Sequence, residues 1–174
     1  MPSPKWLHDA TRQAWTPGMV ALLTLIAGLA ALAGDRPLLF PSLGPTAFLR
    51  AEASQNPQSS VYNTVAGHLI GIFSAFVALS IFAADDAPAV LQTGDTDAGR
   101  IWASVLALAL LSLLQRALRA AHPPAAATVL LITLGGFGVN WEDAGTIMGG
   151  VLLITLVSEP LRRFRPRSPT VEAP

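Results

Sequence analysis

Phe40-Pro41-Ser42-Leu43-Gly44-Pro45-Thr46 and Ala121-His122-Pro123-Pro124-Ala125 interrupt two apolar stretches, and each is followed by residues able to restart a helix. In hydrocarbon every unpaired backbone N–H or C=O costs several kcal/mol, so irregular chain at membrane depth survives only where protein or a cavity surrounds it. The two interruptions therefore read as broken membrane helices and as the places to look for a binding site. The surrounding composition fits: 52% of the 174 residues are apolar and only 13% are charged, about half the charge content of an ordinary soluble domain. An integral membrane protein of this length holds one compact domain.

Four segments are long enough to cross a bilayer as helices: Pro17 to Gly34, Thr64 to Ala84, Arg100 to Leu118 and Ala144 to Pro160. Trp6, Trp15, Trp102 and Trp141 flank them and suit the interfacial belts. Pro17 suits the first helical position, which argues against cleavage of the first apolar run as a signal peptide. Glu159-Pro160 is expected to end the last helix. Two shorter apolar pieces, Pro37 to Leu49 and Ala121 to Val139, lie between the spans. Loop charge decides how to count them. Lys5, Arg12, Arg116, Arg119, Arg162, Arg163, Arg165 and Arg167 should all be cytoplasmic, whereas the loop with Asp85, Asp86, Asp95 and Asp97 has no basic residue before Arg100. Only full crossings by both short pieces satisfy this. The expectation is an all-α membrane protein of six segments, the second and fifth broken, with both termini cytoplasmic.

A shift of 78 positions places Pro45 on Pro123, Ala47 on Ala125, Gly67 on Gly145, Gly71 on Gly149 and Ser80 on Ser158. Three crossings per unit make the two units antiparallel, a 3+3 inverted repeat of the kind found in secondary transporters. The domain then runs over 17–161, with repeats at about 17–84 and 100–161. A cytoplasmic segment, 1–16, precedes it and a basic tail, 162–174, expected to be disordered, follows.

Helices restarting at Pro45 and at Pro123 or Pro124 would begin near the bilayer midplane and face each other. A helix start offers several free N–H donors and roughly half a positive charge, so two of them around one pocket would hold a small anion. No charged residue occurs within Phe40 to Phe48 or Ala120 to Trp141, which disfavours a cation site. Backbone N–H groups at Pro45-Thr46-Ala47 and Pro124-Ala125-Ala126 are the expected donors, beside Ser42, Thr46, His122 and Thr128, with Leu43, Gly44 and Pro123 completing the two segments. The alternative is that Pro and Gly only kink two packing helices while Ser and Thr bond back to the preceding turn. Gly67 and Gly71, and Gly145 and Gly149, sit one turn apart and should allow close helix approach. Asn63, His68, Arg50 and Arg119 are assigned to the pathway or to its structural support. An imidazole inside a membrane helix, as at His68, needs protein or water to face. Arg50, Arg116 and Arg119 are expected at the cytoplasmic mouth and Arg36 at the outer one. With no cysteine, no metal-ligand cluster and no paired carboxylates in the spans, neither a cofactor nor an enzyme is expected, and the neutral net charge gives nucleic acid nothing to bind.

The stretch Leu118-Arg119-Ala120-Ala121-His122-Pro123-Pro124-Ala125-Ala126-Ala127-Thr128 resembles the signature of the HPP family of integral membrane proteins. Pro41-Ser42-Leu43-Gly44-Pro45-Thr46-Ala47 and Asn63-Thr64-Val65-Ala66-Gly67-His68 are similar to its two other recurrent blocks, so the resemblance covers about Pro17 to Pro160. It implies a transporter or channel in the bacterial inner membrane for a monovalent oxyanion, nitrite or nitrate. It also implies four spanning helices, against the six counted above. Ala125-Ala126 stand where many members have two glycines, and Gly44-Pro45-Thr46 replaces a Gly-Ala-Ser type block. A homo-oligomer is expected by analogy. The competing function is a membrane subunit that transports nothing and docks a partner through its glycine faces.

Overall fold

In a computed structural model, which describes the backbone of residues 5–164 and side chains from Gln13 onward, the chain is all-helical. Seven α-helices are found among the described residues: α1 (Lys5–Gly34), α2 (Leu43–Glu52), α3 (Val61–Ile81), α4 (Val90–Thr93), α5 (Ala98–Ala117), α6 (Ala125–Thr133) and α7 (Trp141–Arg162). A single 3₁₀ turn, Pro57–Ser59, precedes α3. Four are long and apolar enough to cross a membrane: α1 from Gln13 onward, α3, α5 and α7.

Local chemistry sets the boundaries. Ser60, Asp97 and Asn140 each accept a hydrogen bond from the backbone N–H three residues on, capping α3, α5 and α7. Three helices stop in the left-handed region at non-glycine residues, Asp35 (φ 47°), Ala83 (φ 47°) and Arg119 (φ 52°), and α6 stops at Gly135 (φ 85°). In α3, α5 and α6 the paired bonds of a Schellman ending follow: Ala84 to the Leu79 carbonyl, Ala120 to that of Gln115 and Gly136 to that of Leu131.

Three proline expectations need correction. Pro17 lies inside α1, which reaches back to Lys5, rather than opening the helix. Pro45 occupies the third helical position of α2, still in the first turn, where its missing N–H has no intrahelical partner to lose. Pro160 lies inside the last turn of α7 and the helix runs on to Arg162. Residues 165–174, including Arg165 and Arg167, lie outside the described residues, as does most of the expected disordered tail.

Polar contacts sort the helix ends into two groups. Thr16 on α1 donates to Glu52 at the close of α2 at 2.7 Å. Arg162, ending α7, donates to the carbonyls of Ser54 and Ser59 before α3, and Tyr62 at the start of α3 donates to the Leu118 carbonyl after α5 at 3.0 Å. At the other end Arg36 pairs with Glu142, and Arg100, opening α5, donates to the carbonyls of Ala87 at 2.7 Å and Thr133 at 2.9 Å. The second group carries Asp35, Asp85, Asp86, Asp95, Asp97, Glu142 and Asp143, the first Arg116, Arg119, Arg162 and Arg163.

The short helices α2 and α6 are held in the middle by longer ones. α6 packs on α3 and α5, α2 on α1 and α7, and α3 crosses α7. Outward surfaces are apolar: Leu25, Leu29 and Leu32 on α1, Leu69 and Phe73 on α3, and Leu152 and Leu156 on α7 are all exposed, as lipid contact requires.

Candidate functional site

α2 and α6 are each preceded by non-helical chain, residues 35–42 and 118–124, and between them lies a cluster of five polar side chains. Ser42, Thr46, His68, His122 and Thr128 are all at 0% exposure. Thr46 Oγ1 lies 3.0 Å from His68 Nε2 and 3.4 Å from His122 Nε2. His68 Nδ1 is 2.7 Å from Thr128 Oγ1, which is 2.8 Å from Ser42 Oγ. The two imidazoles are 5.0 Å apart between ring centres. An unmade hydrogen bond in such a setting costs about 1–3 kcal/mol per group, and here every member has a partner. Ser42 is also the N-cap of α2, yet its hydroxyl makes no capping bond; it is spent on the cluster instead.

His122 is fixed on three sides. Its Nδ1 lies 2.8 Å from the Gln58 carbonyl, while its backbone N–H and C=O are clasped by the Gln115 carboxamide at 3.2 Å each. Asn63 holds the preceding Ala121 carbonyl at 3.1 Å. Gly67 makes this possible, because a Cβ there would come within 2.5 Å of His122 Cβ. Gly71 likewise lets α3 approach the Ala125 carbonyl, 3.2 Å from where its Cβ would stand. The first glycine pair is thus a seat for the start of α6. The second pair does not act as expected: Gly145 has nothing within 4 Å of a Cβ, and Gly149 makes only ordinary contact with Leu38. It is Gly150, one residue on, whose Cβ would meet Phe40 at 2.8 Å and the Leu38 carbonyl at 2.9 Å. The sequence shift aligned Gly149 and overlooked the neighbour that packs.

Of the other residues in the two segments, Leu43, Ala47, Pro124 and Ala125 are buried, Ala126 is half-buried, and Gly44, Pro45 and Pro123 are exposed on the outer surface. The backbone donors expected at the start of α6 are occupied. The N–H groups of Ala125, Ala126 and Ala127 bond to the carbonyls of His122, Pro123 and Pro124 at 3.0, 3.0 and 3.1 Å, the tight i−3 pattern of a helix start. The polar groups gathered between the two breaks are therefore side chains.

Arg50, one turn beyond Thr46 on α2, is not at a mouth but wholly buried. Its guanidinium donates to Ser158 Oγ, to the Ser59 carbonyl at 2.7 Å, to Thr64 Oγ1 and the Thr155 carbonyl at 3.3 Å each, and to Glu159 at 2.7 Å. Glu159 also takes Arg162 at 3.0 Å. Arg119 is exposed at the turn before Ala120. Sequence reasoning missed Gln115 and the burial of Arg50. The first had a signal, since a carboxamide in an apolar helix raises the same question as His68.

Toward the acidic end, Phe137 and Phe40 pack edge to face with centres 5.7 Å apart. Phe137 also lines an open vestibule of about 440 Å³ whose walls include Asp85, Arg100 and Asp143. No group of three or more His, Asp or Glu able to hold a metal occurs among the described residues.

The family model described as "HPP, transmembrane region" matches residues 6–169. No curated protein matched the chain, and no solved structure did.

Proposed function

Since the chain belongs to the HPP transmembrane family, we propose that it moves a small monovalent oxyanion, nitrite or nitrate, across the membrane through the polar cluster between α2 and α6. One observation carries the reading: five buried hydroxyl and imidazole groups, with no carboxylate among them, lie where two half-length helices begin. A cation site would need carboxylates or carbonyl ends turned inward, and a purely structural kink needs no shared cluster. Ser42, Thr46, His122 and Thr128 are the binding donors and His68 braces them.

The reading includes six crossings as a 3+3 inverted repeat. α1 starts at the end where α2 finishes, so residues 35–52 return across the bundle as extended chain plus a helix of ten residues, about 15 Å or half the hydrocarbon thickness. Residues 118–133 do the same in the opposite sense, from Leu118 beside Tyr62 to Thr133 beside Arg100. Helix pairing supports the repeat, because exchanging α1 with α5, α2 with α6 and α3 with α7 maps every helix pair onto an observed pair, α3 with α7 onto itself. The arginine-rich end, with both termini, is cytoplasmic by the positive-inside rule, and the membrane is the bacterial inner one. A homo-oligomer is part of the proposal, the face around Gly145 being open to a second copy.

Purified protein in liposomes should accelerate nitrite or nitrate equilibration over protein-free vesicles, and Thr46→Val should cut the rate at least tenfold while eluting as wild type on gel filtration. A protein that accelerates neither anion overturns the proposal and returns the partner-docking subunit to first place.

A further inference from the structure

We infer that the clamp formed by Arg50 and Arg162 is a second anion-binding site, one turn beyond the central cluster, in which the Glu159 carboxylate is a displaceable stand-in for the transported oxyanion. This deepens the anion-transport reading and rests on it for the identity of the ligand.

Two guanidiniums share one carboxylate oxygen. Arg50 Nη2 and Arg162 Nη1 both donate to Glu159 Oε2, at 2.7 and 3.0 Å, while Oε1 accepts nothing among the described residues. The carboxylate is also the most exposed of the three, its side chain 40% accessible against 0% for Arg50 and 18% for Arg162. An ion pair made through one oxygen and open to water is held weakly. The rest of the Arg50 fork does not depend on it: Nε meets Ser158, Nη1 meets the Ser59 carbonyl and Thr64, and Nη2 also meets the Thr155 carbonyl. No other carboxylate pairs with either arginine among the described residues, and Glu52, at the same end, is taken by Thr16. The clamp therefore carries two positive charges against one negative.

A hydroxyl beside it lacks an acceptor. Thr155 is 1% exposed and its Oγ1 has no hydrogen-bond partner, although a threonine inside a helix can bond back to the carbonyl four residues earlier. It precedes Glu159 by one turn of α7, so the two side chains share a face, and its own carbonyl touches Arg50. Nitrite and nitrate present two oxygens on one central atom, as a carboxylate does. Either fits the place of the Glu159 head, accepting one N–H from each arginine and the Thr155 hydroxyl proton, and hydrogen bonds to an ion are the strong ones. The exchange leaves the charge of the clamp unchanged: Glu159 turns out to water as the anion enters and returns as it leaves. Arg50 is then never buried without a counter-ion, which is the costly state. Thr46 and Arg50 lie on the same helix, about 6 Å apart along its axis, so an anion leaving the central cluster toward the arginine-rich end meets the clamp next.

The test reads the melting temperature of the purified full chain in detergent as nitrate or nitrite is titrated at constant ionic strength, with gluconate as the balancing anion. Both oxyanions should raise it in the wild type by mass action, and should still do so in Thr46→Val, where the central cluster is disabled. Thr155→Val should melt no lower than wild type without anion, because it removes an unmet hydroxyl, yet should need roughly tenfold more nitrate for the half-maximal shift. Glu159→Gln, which removes the competing charge, should need roughly tenfold less. Wild-type titrations in both Thr155→Val and Glu159→Gln, or a shift that vanishes in Thr46→Val, overturn the site, and flux that persists in liposomes then leaves the transport reading standing. The expected shifts in a protein that moves neither anion through liposomes keep the site and overturn transport. Neither shift nor flux overturns both. If Glu159→Gln does not fold, Thr155→Val decides the matter.

Discussion

Thr46 is the single atom site on which both imidazoles converge, and at residue scale the clearest experiments are there and at its neighbours. Thr46→Ser keeps the hydroxyl and should retain most of the flux that Thr46→Val loses, a difference that a loss of packing alone would not give. Gly67→Ala places a methyl 2.5 Å from His122 Cβ, and overpacking of this kind costs about 1–3 kcal/mol; a lowered melting temperature in detergent, together with lost flux, is the expected result. Arg50→Ala removes the donor shared by Ser158, Thr64, the Ser59 and Thr155 carbonyls and Glu159, leaving half-buried Glu159 to Arg162 alone; each buried acceptor left unmet costs about 1–3 kcal/mol, so a lowered melting temperature is expected, and Arg50→Lys should recover little because an ammonium cannot reproduce the guanidinium fork. That Ser42, Thr46, His122 and Thr128 gather at the two breaks was legible in the sequence, because a polar residue close to a proline break in apolar surroundings needs a polar partner. Their joining through His68 was not legible, since the approach of α3 to the start of α6 depends on a Cα-to-Cβ clearance at Gly67 that no spacing rule reports.

The helix endings are decided one turn at a time. Ala83 at φ 47° carries a side chain where glycine is favoured, a conformation costing L-residues roughly 1 kcal/mol. Ala83→Gly should therefore raise the melting temperature. Gly135→Ala should do the reverse, because its φ is 85° and a Cβ would stand 2.6 Å from that of Ala89. The four long helices could be read from hydropathy and length to within a few residues at most ends, since burial in lipid imposes one composition along a whole span. Prolines misled where they fall inside a helix: Pro17 in α1 and Pro160 in α7 both looked like boundaries, and local preference gave way to the continuing apolar and polar contacts of the flanking turns. Gly150 was missed for a related reason, as its role comes from Leu38 and Phe40, more than a hundred residues earlier in the chain.

At the scale of the whole molecule the number of crossings is open to direct measurement, and the absence of native cysteine makes single-cysteine variants clean reporters. With six crossings, Asp95→Cys should react with a membrane-impermeant maleimide on intact cells and Gln55→Cys only after lysis; with four, the two would exchange behaviour. Either short helix depends on the other half of the chain: α6 rests on α3 through Gly67 and Gly71, and the strand of chain leading into α2 rests on α7 at Gly150. During synthesis the first half must therefore enter the lipid with Thr46 and His68 still waiting for Thr128 and His122. Two separately expressed fragments, divided at the exposed Gly94, should each be degraded when made alone and accumulate when made together, because each withholds the other's hydrogen-bond partners until both are in the bilayer.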